Sequence, residues 1–332
     1  HLYGVIAHQA GRHDVAIRHI SQAIVCNPRE ARFHNNIGEV YRAQGKLEEA
    51  EGHYRQALTL RPMYAEARNN LGTVLKRQGW IAEAVIEYEQ ALSANPSYAE
   101  AHSNLGNAFQ ELGKVEAAIA CYQRALELKP DYAMAHSNLG GALKGQGKLE
   151  EAMACYRRAL AINPGDASVH SNMVFVMCYS PASTVETLAT AHREWNDRHG
   201  RPLASQIRPH NNDRTPERRL RVGYVSADFW GHAVGYFVEP LFASHNRTNV
   251  MVFAYSNGVH VDATTKRLRE SADGWRDIVD TSDEALAGLI REDGIDILVD
   301  LSGHTGGNRL PVFARKPAPV QVTYIGYGTT TG

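Results

Sequence analysis

The segment AEARNNLGTVLKRQGWIAEAVIEYEQALSANPSY, residues 65–98, is one copy of a 34-residue unit that recurs along the first half of the chain. Five series of residues, each spaced by 34 positions, carry the recurrence. The series are Pro28, Pro62, Pro96, Pro130 and Pro164; Gly11, Gly45, Gly79, Gly113 and Gly147; Gly38, Gly72, Gly106 and Gly140; Ala16, Ala50, Ala84, Ala118 and Ala152; and Tyr54, Tyr88, Tyr122 and Tyr156. A fixed period of this length predicts stacked helical hairpins.

The residue types within the unit predict its packing. Small residues such as Gly72 let two helices approach, and large ones such as Tyr88 fill the space between them. Gly79 suits the turn between the helices, where a positive φ costs glycine little, and Pro96 ends the second helix. One unit cannot bury its apolar face alone, so neighbouring units must stack into an α solenoid. Complete units are predicted over 31–64, 65–98, 99–132 and 133–166, after a truncated unit and before a degenerate helix from Ala167.

Two polar series share the repeat period. They are Asn36, Asn70, Asn104, Asn138 and Asn172, and His34, His102, His136 and His170. The asparagines have two possible roles. Their side chains either form hydrogen bonds within each repeat, or they form a ladder of amides that holds a peptide backbone. On the second interpretation Asn70, Asn104 and Asn138 bind substrate. The histidines lie too far apart for a shared metal ion, so we expect no metal site.

Composition narrows the class of protein. The chain has 332 residues, is 43 % hydrophobic and carries a formal net charge of −1, so neither nucleic acid nor a membrane is expected as a partner. No apolar run reaches the length of a membrane span. The four cysteines include no CxxC pair, and cytoplasmic location is expected. Because the chain begins with His1, we expect further residues to precede it.

The sequence character changes after about residue 180. Residues 183–200 predict a helix with a capping box of Ser183 and Glu186 and an end at Gly200. The proline-containing stretch 201–219 predicts a linker. We therefore divide the chain into a repeat solenoid over 1–180, a transition helix and linker over 181–219, and a second domain over 220–332.

The second domain alternates strands with helices. Near-continuous apolar stretches predict strands over 219–225, 250–256, 275–280, 295–301 and 320–325. Thr281 and Glu284 are predicted to cap the clearest helix. This pattern predicts an α/β, Rossmann-like parallel sheet covered on both faces, which binds ligands at the carboxyl ends of its strands.

Three polar loops follow predicted strands and should meet at that edge. The first, in VSADFWGHAVGYF (225–237), contains Asp228 and His232, and a helix is predicted over 233–245. The helix dipole disfavours imidazolium at His232, so a neutral ring could accept a proton or orient a hydroxyl, and Asp228 could relay a proton or fix the tautomer. Alternatively, Asp228 caps the helix and His232 only packs.

The other two loops are SGHTGGNR (302–309) and GYGTTTG (326–332). His304 and Thr305 of the former are predicted to bind substrate, and the latter carries Thr329 and Thr330. The chain has no G-x-G-x-x-G, Walker or G-x-S-x-G sequence, which counts against dinucleotide oxidoreductases, P-loop enzymes and α/β hydrolases.

Together these motifs carry a family resemblance. Repeats followed by RLRVGYVSADFWGHAVGYF, REDGIDILVDLSGHTGGNRL and RKPAPVQVTYIGY resemble the protein O-glycosyltransferases of the O-GlcNAc transferase and SPINDLY type. The resemblance implies a two-lobed GT-B fold and metal-independent, inverting sugar transfer from a nucleotide donor to Ser or Thr of proteins held by the repeat groove. It implies that His232 is the active-site histidine, Asp228 a proton-relay carboxylate and His199 a second active-site histidine. Gly326 and Tyr327 match a loop beside the sugar.

The sequence also departs from the family. Ala233-Val234 stand where animal O-GlcNAc transferases have Pro-Thr, and HAVGYF and GHTGGN are closer to SPINDLY, whose plant members use GDP-fucose. Gly328 stands where the family has proline. UDP-GlcNAc is the expected donor and GDP-fucose the alternative; a catalytically silent adaptor and a small-molecule or glycan-assembly transferase stay open.

The extent of the resemblance sets a further expectation. The chain ends at Gly332, directly after the fifth predicted strand, so only the first GT-B lobe is expected. We expect residues 1–332 alone to show weak donor binding and no turnover.

Overall fold

A computed structural model describes residues 1–328 and 330–331, in two compact units, 1–162 and 163–332. The predicted boundary at residue 180 followed the repeat series, whereas compactness groups residues 163–180 with the second unit. Within the part of the chain that the structure describes, every helix is too short or too polar to cross a bilayer.

The first unit is built from consecutive helical hairpins, which confirms the predicted solenoid. Its helices are α1 (Leu2–Gln9), α2 (His13–Cys26), α3 (Ala31–Ala43), α4 (Leu47–Leu60), α5 (Ala65–Arg77), α6 (Ile81–Ala94), α7 (Ala99–Glu111), α8 (Val115–Leu128), α9 (Ala133–Gly145) and α10 (Leu149–Ile162). Each helix packs against the next, and the first helices of successive repeats, such as α5 and α7, also touch. The stacking buries the apolar face that no single hairpin could cover.

A glycine–tyrosine contact closes each hairpin. The rings of Tyr54, Tyr88, Tyr122 and Tyr156 are fully buried. Each ring lies against a glycine of the preceding helix, and a Cβ placed on Gly72 would come 2.7 Å from Tyr88 Cε1. Gly79 adopts a positive φ of 88° at the turn. Both predictions for the repeat glycines are therefore confirmed.

This contact predicts opposite effects for two adjacent glycines of α9. A Cβ on Gly140 would lie 2.9 Å from the Tyr156 ring, whereas a Cβ on Gly141 would come no closer than 3.8 Å. We expect G140A to lower the free energy of unfolding by about 1–3 kcal/mol, because the buried ring cannot move aside. We expect G141A to be neutral or to stabilise by up to about 1 kcal/mol. Thermal unfolding of both variants checks this, and equal effects would contradict it.

The second unit begins with helices that precede the sheet. They are α11 (Ala167–Met177) and α12 (Val185–Trp195), followed by a π-helical turn (Asn196–Gly200) and a 3₁₀ turn (Arg201–Gln206). The capping box of α12 consists of Thr184 and Thr187, so the predicted pair Ser183 and Glu186 was wrong. Thr184 has the extended backbone that a capping residue needs, and its hydroxyl accepts from the Thr187 N–H.

A five-stranded, all-parallel sheet follows, as predicted. Its strands are β1 (Leu220–Ser226), β2 (Val250–Ser256), β3 (Gly274–Asp277), β4 (Ile297–Asp300) and β5 (Val320–Thr323), and its helices are α13 (Ala233–Ser244), α14 (Ala263–Glu270), α15 (Asp283–Glu292) and α16 (Leu310–Ala314). Ser282, rather than the predicted Thr281, caps α15 by accepting from the Ala285 N–H.

The strand order places the candidate site. The order is β3-β2-β1-β4-β5, so the direction of strand progression reverses between β1 and β4. Separate apolar clusters, one around Phe242 and one around Ile290, confirm that both faces of the sheet are covered. In sheets of this kind, ligands bind in the crevice at the carboxyl ends of the strands beside the reversal. The loops after β1 and β4 border that crevice.

Candidate active site

The loop after β1 places His232 at the first turn of α13. His232 itself caps the helix, since its Nδ1 accepts from the Val234 N–H at 3.3 Å. Asp228 Oδ2 lies 3.8 Å from the same Nδ1. The interpretation in which Asp228 caps α13 was therefore wrong, and the predicted pairing of Asp228 with His232 is present in the structure.

This geometry allows His232 two hydrogen-bonding states. Its side chain is 40 % exposed. When Nδ1 accepts from Val234, the neutral ring carries its proton on Nε2 and can donate to a hydroxyl. If the ring rotates so that a protonated Nδ1 donates to Asp228, which lies 3.8 Å away in the structure, Nε2 becomes an acceptor. The pair can therefore orient an acceptor hydroxyl or take its proton.

Asp262 fixes the loop just before His232, and the sequence analysis missed it. Its Oδ2 accepts from the Gly231 N–H at 2.7 Å, while its Oδ1 caps α14 by accepting from the Thr265 N–H. The hydrogen bond from Thr265 contributes most to lowering the pKa of Asp262. The signal available in the sequence was the spacing of Asp262 and Thr265, which is typical of a helix start.

Close backbone contacts bring the three predicted loops together. A side chain on Gly326, after β5, would overlap the Leu301 carbonyl after β4. A Cβ on Gly307, after β4, would lie 2.7 Å from the Ala227 Cβ after β1. The predicted meeting of the loops is confirmed for the described residues, and Thr329 lies outside them.

The loop after β4 is held by a buried carboxylate. Asp300 accepts from the N–H groups of Ser302 and Gly303 at 3.0 and 2.9 Å. Burial raises the pKa of Asp300 above its usual range. The Thr305 hydroxyl donates to the Ser302 carbonyl within the same loop at 2.8 Å. Thr305 therefore stabilises the loop, and its contact with substrate stays a prediction.

His304 points into the second unit and not to open solvent. It is fully buried, and its Nδ1 lies 3.1 Å from the Ser171 hydroxyl of α11. Its ring centroid is 5.1 Å from that of His192 and 5.1 Å from that of Trp195, both on α12. The observed contacts hold the β4 loop against these helices, and a contact between His304 and substrate stays a prediction.

Tyr327 and His199 each contact another buried histidine of the second unit. The Tyr327 hydroxyl lies 3.1 Å from His192 Nε2 and 3.1 Å from Cys178 Sγ. His199 is buried, with Nε2 3.0 Å from His170 Nδ1. We define the histidine cluster as His170, His192, His199 and His304.

Burial keeps the histidine cluster neutral. It is the main cause that lowers the pKa of His170 to about 4 and of His304 to about 3, with the neighbouring histidines next in order. The pKa values of His192 and His199 are also lowered, mainly by burial. The structure thus separates the predicted site residues into a half-buried pair, Asp228 and His232, and a buried group around His304.

The repeat asparagines make bonds between repeats. The Nδ2 groups of Asn70 and Asn104 donate to the side-chain oxygens of Asn35 and Asn69 at 3.1 and 2.8 Å. Asn138 donates likewise to Asn107 at 2.8 Å. Each bond joins one repeat to the preceding one. The amide oxygens of the ladder and the second Nδ2 hydrogens of Asn104 and Asn138 are left for a ligand, and their use in substrate binding stays a prediction.

The repeat histidines have separate partners. His34 lies beside His53, whereas His102 and His136 each contact a proline carbonyl. In the ranges 1–328 and 330–331, no group of three or more His, Cys, Asp or Glu side chains could hold a metal ion.

Comparison with known proteins assigns both parts of the chain. Residues 199–332 match glycosyl transferase family 41. Residues 38–147 match the TPR repeat model in three overlapping segments, and 133–166 match the tetratricopeptide repeat.

Individual relatives agree with the family matches. A Solanum lycopersicum protein named probable UDP-N-acetylglucosamine–peptide N-acetylglucosaminyltransferase SPINDLY is 43 % identical over 163 residues, which are 48 % of this chain and 17 % of that protein. A Caenorhabditis elegans UDP-N-acetylglucosamine–peptide N-acetylglucosaminyltransferase is 38 % identical over 122 residues, 35 % of this chain and 10 % of the relative.

A solved structure extends the likeness to the fold. The chain superposes on the solved structure of a Thermobaculum terrenum O-GlcNAc transferase mutant with a TM-score of 0.73 and 37 % sequence identity. The match covers 79 % of this chain and 50 % of the Thermobaculum chain. The chain thus spans half of that structure and about a sixth of the tomato relative. Its repeats and its parallel sheet together place it in the protein O-glycosyltransferase family of the O-GlcNAc transferase and SPINDLY type.

Proposed function

We propose that this protein is a protein O-glycosyltransferase that transfers GlcNAc, with inversion, from UDP-GlcNAc to Ser or Thr side chains. The observation that carries the proposal is the half-buried Asp228–His232 pair at the carboxyl end of β1, beside the strand-order reversal, within the segment that matches family 41. The names of the relatives specify N-acetylglucosamine, so they support UDP-GlcNAc over GDP-fucose.

The proposed chemistry is a single displacement. The acceptor oxygen attacks the anomeric carbon on the face opposite to the diphosphate, and the bond from that carbon to the diphosphate oxygen breaks. The hydroxyl proton passes to His232 Nε2 or, by relay, toward Asp228. UDP leaves with the bonding electron pair. Because the diphosphate is already a good leaving group, we infer that no metal is needed.

The proposal also includes a protein acceptor as the partner of the repeats and a cytoplasmic location. The repeats would bind the protein acceptor, since stacked helical repeats present extended binding surfaces. We also infer cytoplasmic location. All four cysteines are free thiols, and Cys121 is partly buried, which suits a reducing compartment.

The donor assignment is tested by mass spectrometry. The complete protein that carries these residues is incubated with an acceptor protein and either UDP-GlcNAc or GDP-fucose, with and without a metal chelator. We expect the mass increase of one N-acetylhexosamine, unchanged by the chelator. A deoxyhexose increase would replace the donor, and no modification with either donor would favour the adaptor function.

The role of the asparagine ladder predicts a selective defect. We expect replacement of Asn70, Asn104 and Asn138 by alanine to lower glycosylation of protein acceptors at least about tenfold, since each lost backbone contact removes about 0.5–1.5 kcal/mol. Hydrolysis of UDP-GlcNAc should be unchanged, because the donor site is not touched.

The control for this experiment separates binding from stability. Asn35, Asn69 and Asn107 accept the inter-repeat bonds, so replacing these three breaks the same bonds while leaving the ladder in place. Undiminished glycosylation by the ladder variant, or an equal loss in the control, would count against acceptor binding through the ladder.

A further inference from the structure

A cavity lies at the amino ends of the strands, the edge of the sheet opposite to the candidate active site. It has a volume of about 630 Å³ and is bordered by Arg221 at the start of β1, Met251 at the start of β2 and Asp296 just before β4. The segment 208–213 closes one side. Because all five strands are parallel, this edge is remote from the carboxyl ends that carry His232. The charged residues that line the cavity are Arg208, Arg218, Arg219, Arg221, Arg291, Asp213 and Asp296.

The two carboxylates are already engaged by structural contacts. Arg218 binds Asp296 with two hydrogen bonds of 2.7 and 2.6 Å. Asp296 also accepts from the Arg221 N–H at 2.9 Å. Burial alone would raise the pKa of Asp296, but these hydrogen bonds outweigh it and lower the value. Asp213 accepts from the N–H and hydroxyl of Thr215.

Three arginines of the cavity have no carboxylate partner. Arg221 Nη1 donates to the Asp293 carbonyl at 2.7 Å, and Arg291 Nη2 donates to the Arg315 carbonyl at 2.7 Å. Carbonyl contacts hold these guanidinium groups in place without neutralising their charge. Across the described residues, no carboxylate lies within ion-pair distance of Arg208, Arg221 or Arg291. The Arg291 Nε and the His210 Nε2 are buried without a protein hydrogen bond.

The positive charges are close enough to act on one another. Burial is the main cause that lowers the pKa of Arg291, and the charges of Arg208 and Arg315 lower it further. Burial also lowers the pKa of His210, followed by the charges of Lys316 and Arg291. Like charges held together in a partly enclosed space favour a bound anion, which would remove their repulsion.

We propose that this cavity binds a small, multiply charged phosphate compound, at a site separate from the sugar-transfer site. Guanidinium groups present forked donors that match the oxygens of a phosphate, and an anion of this class would offer acceptors to several of them at once. The cavity volume lies within the range of small-molecule sites. Arg208 and Arg291 would contact the anion, while Arg218 and Asp296 maintain the wall.

Calorimetric titration with inorganic pyrophosphate tests this site. The 332-residue chain is titrated at constant ionic strength. We expect saturable binding of pyrophosphate. R208Q should weaken binding at least about tenfold, the loss of one charge-assisted contact. Arg208 is exposed and outside every helix and strand, so this variant should fold normally.

Matched variants make the outcome decisive. R158Q removes one exposed charge from α10 in the repeats and should bind pyrophosphate as the wild type does. The double variant R208Q/R291Q should show no saturable binding. Equal affinity in the wild type and R208Q, an equal loss in R158Q, or absence of binding to the wild type would overturn the proposal. Failure of the glycosyltransferase assay would leave these results unaffected.

Discussion

Replacing His232 with alanine is expected to lower the rate of sugar transfer by about 100-fold or more, the usual contribution of a positioned acid–base group. The expectation rests on the 40 % exposed imidazole that Asp228 approaches to 3.8 Å. The rate constant for transfer, measured on the complete protein at saturating donor, is the quantity to compare. Thermal unfolding should show only a small loss of stability, because the lost helix cap is worth about 1 kcal/mol.

His232→Asn is the matched variant for this experiment. Asparagine is a strong helix cap, so it can replace the contact with the Val234 N–H, but it cannot take a proton. We expect it to restore the stability lost in H232A and to leave the transfer rate low. The control is the same substitution at His260, a histidine of the neighbouring loop whose ring centroid lies 5.0 Å from that of Trp230. Wild-type turnover in H232N would remove the proposed role and leave His232 as a structural cap.

Acidification is expected to unfold the second unit before pH 4 is reached. The pKa values of His170 and His304 are about 4 and about 3, below the ordinary value of 6.5. As the pH falls below 6.5, these histidines bind protons in the unfolded chain but stay neutral in the folded protein. The stability present above pH 6.5 is therefore lost progressively as the pH falls toward 4. The loss is on the order of 3 kcal/mol for each of these two histidines.

Urea unfolding between pH 7 and pH 4, followed by tryptophan fluorescence, measures this loss. H170Q removes one titrating group while glutamine can still bond to His199, so its stability should fall less steeply with pH. H102Q, at the equivalent position of an earlier repeat, should follow the wild-type profile. If H170Q and the wild type lose stability in parallel, the histidine cluster does not cause the acid sensitivity.

Local sequence signals were sufficient for both architectures. In the repeats, the contacts that matter join residues close along the chain, such as Gly72 and Tyr88, so the 34-residue period contains them. In the sheet, the apolar runs identified every observed strand. The errors were small shifts in helix caps. Two neighbouring hydroxyl residues, such as Ser183 and Thr184, are equivalent in sequence, and only the backbone geometry selects one.

The candidate site was predictable in part. The position of Asp228 and His232 after a strand was enough to place them together, because both lie on one short loop. The anchoring of that loop by Asp262 was not predicted, because the bond to Gly231 crosses from another strand–helix connection. His304 and Tyr327 were expected to face substrate, yet their observed contacts are with α11 and α12, more than 100 positions away in the chain.

The sequence by itself thus determined the repeat solenoid, the parallel sheet, the edge of the sheet at which the three loops meet, and the family. Each depends on periodicity, apolar patterning or short motifs. Tertiary structure alone decided that the histidine cluster is buried and neutral, whereas the His232 side chain stays accessible to solvent. It also decided that arginines from separate segments, such as Arg208 and Arg291, share one cavity. Burial and charge proximity are set by residues far apart in the chain, and no local pattern contains them.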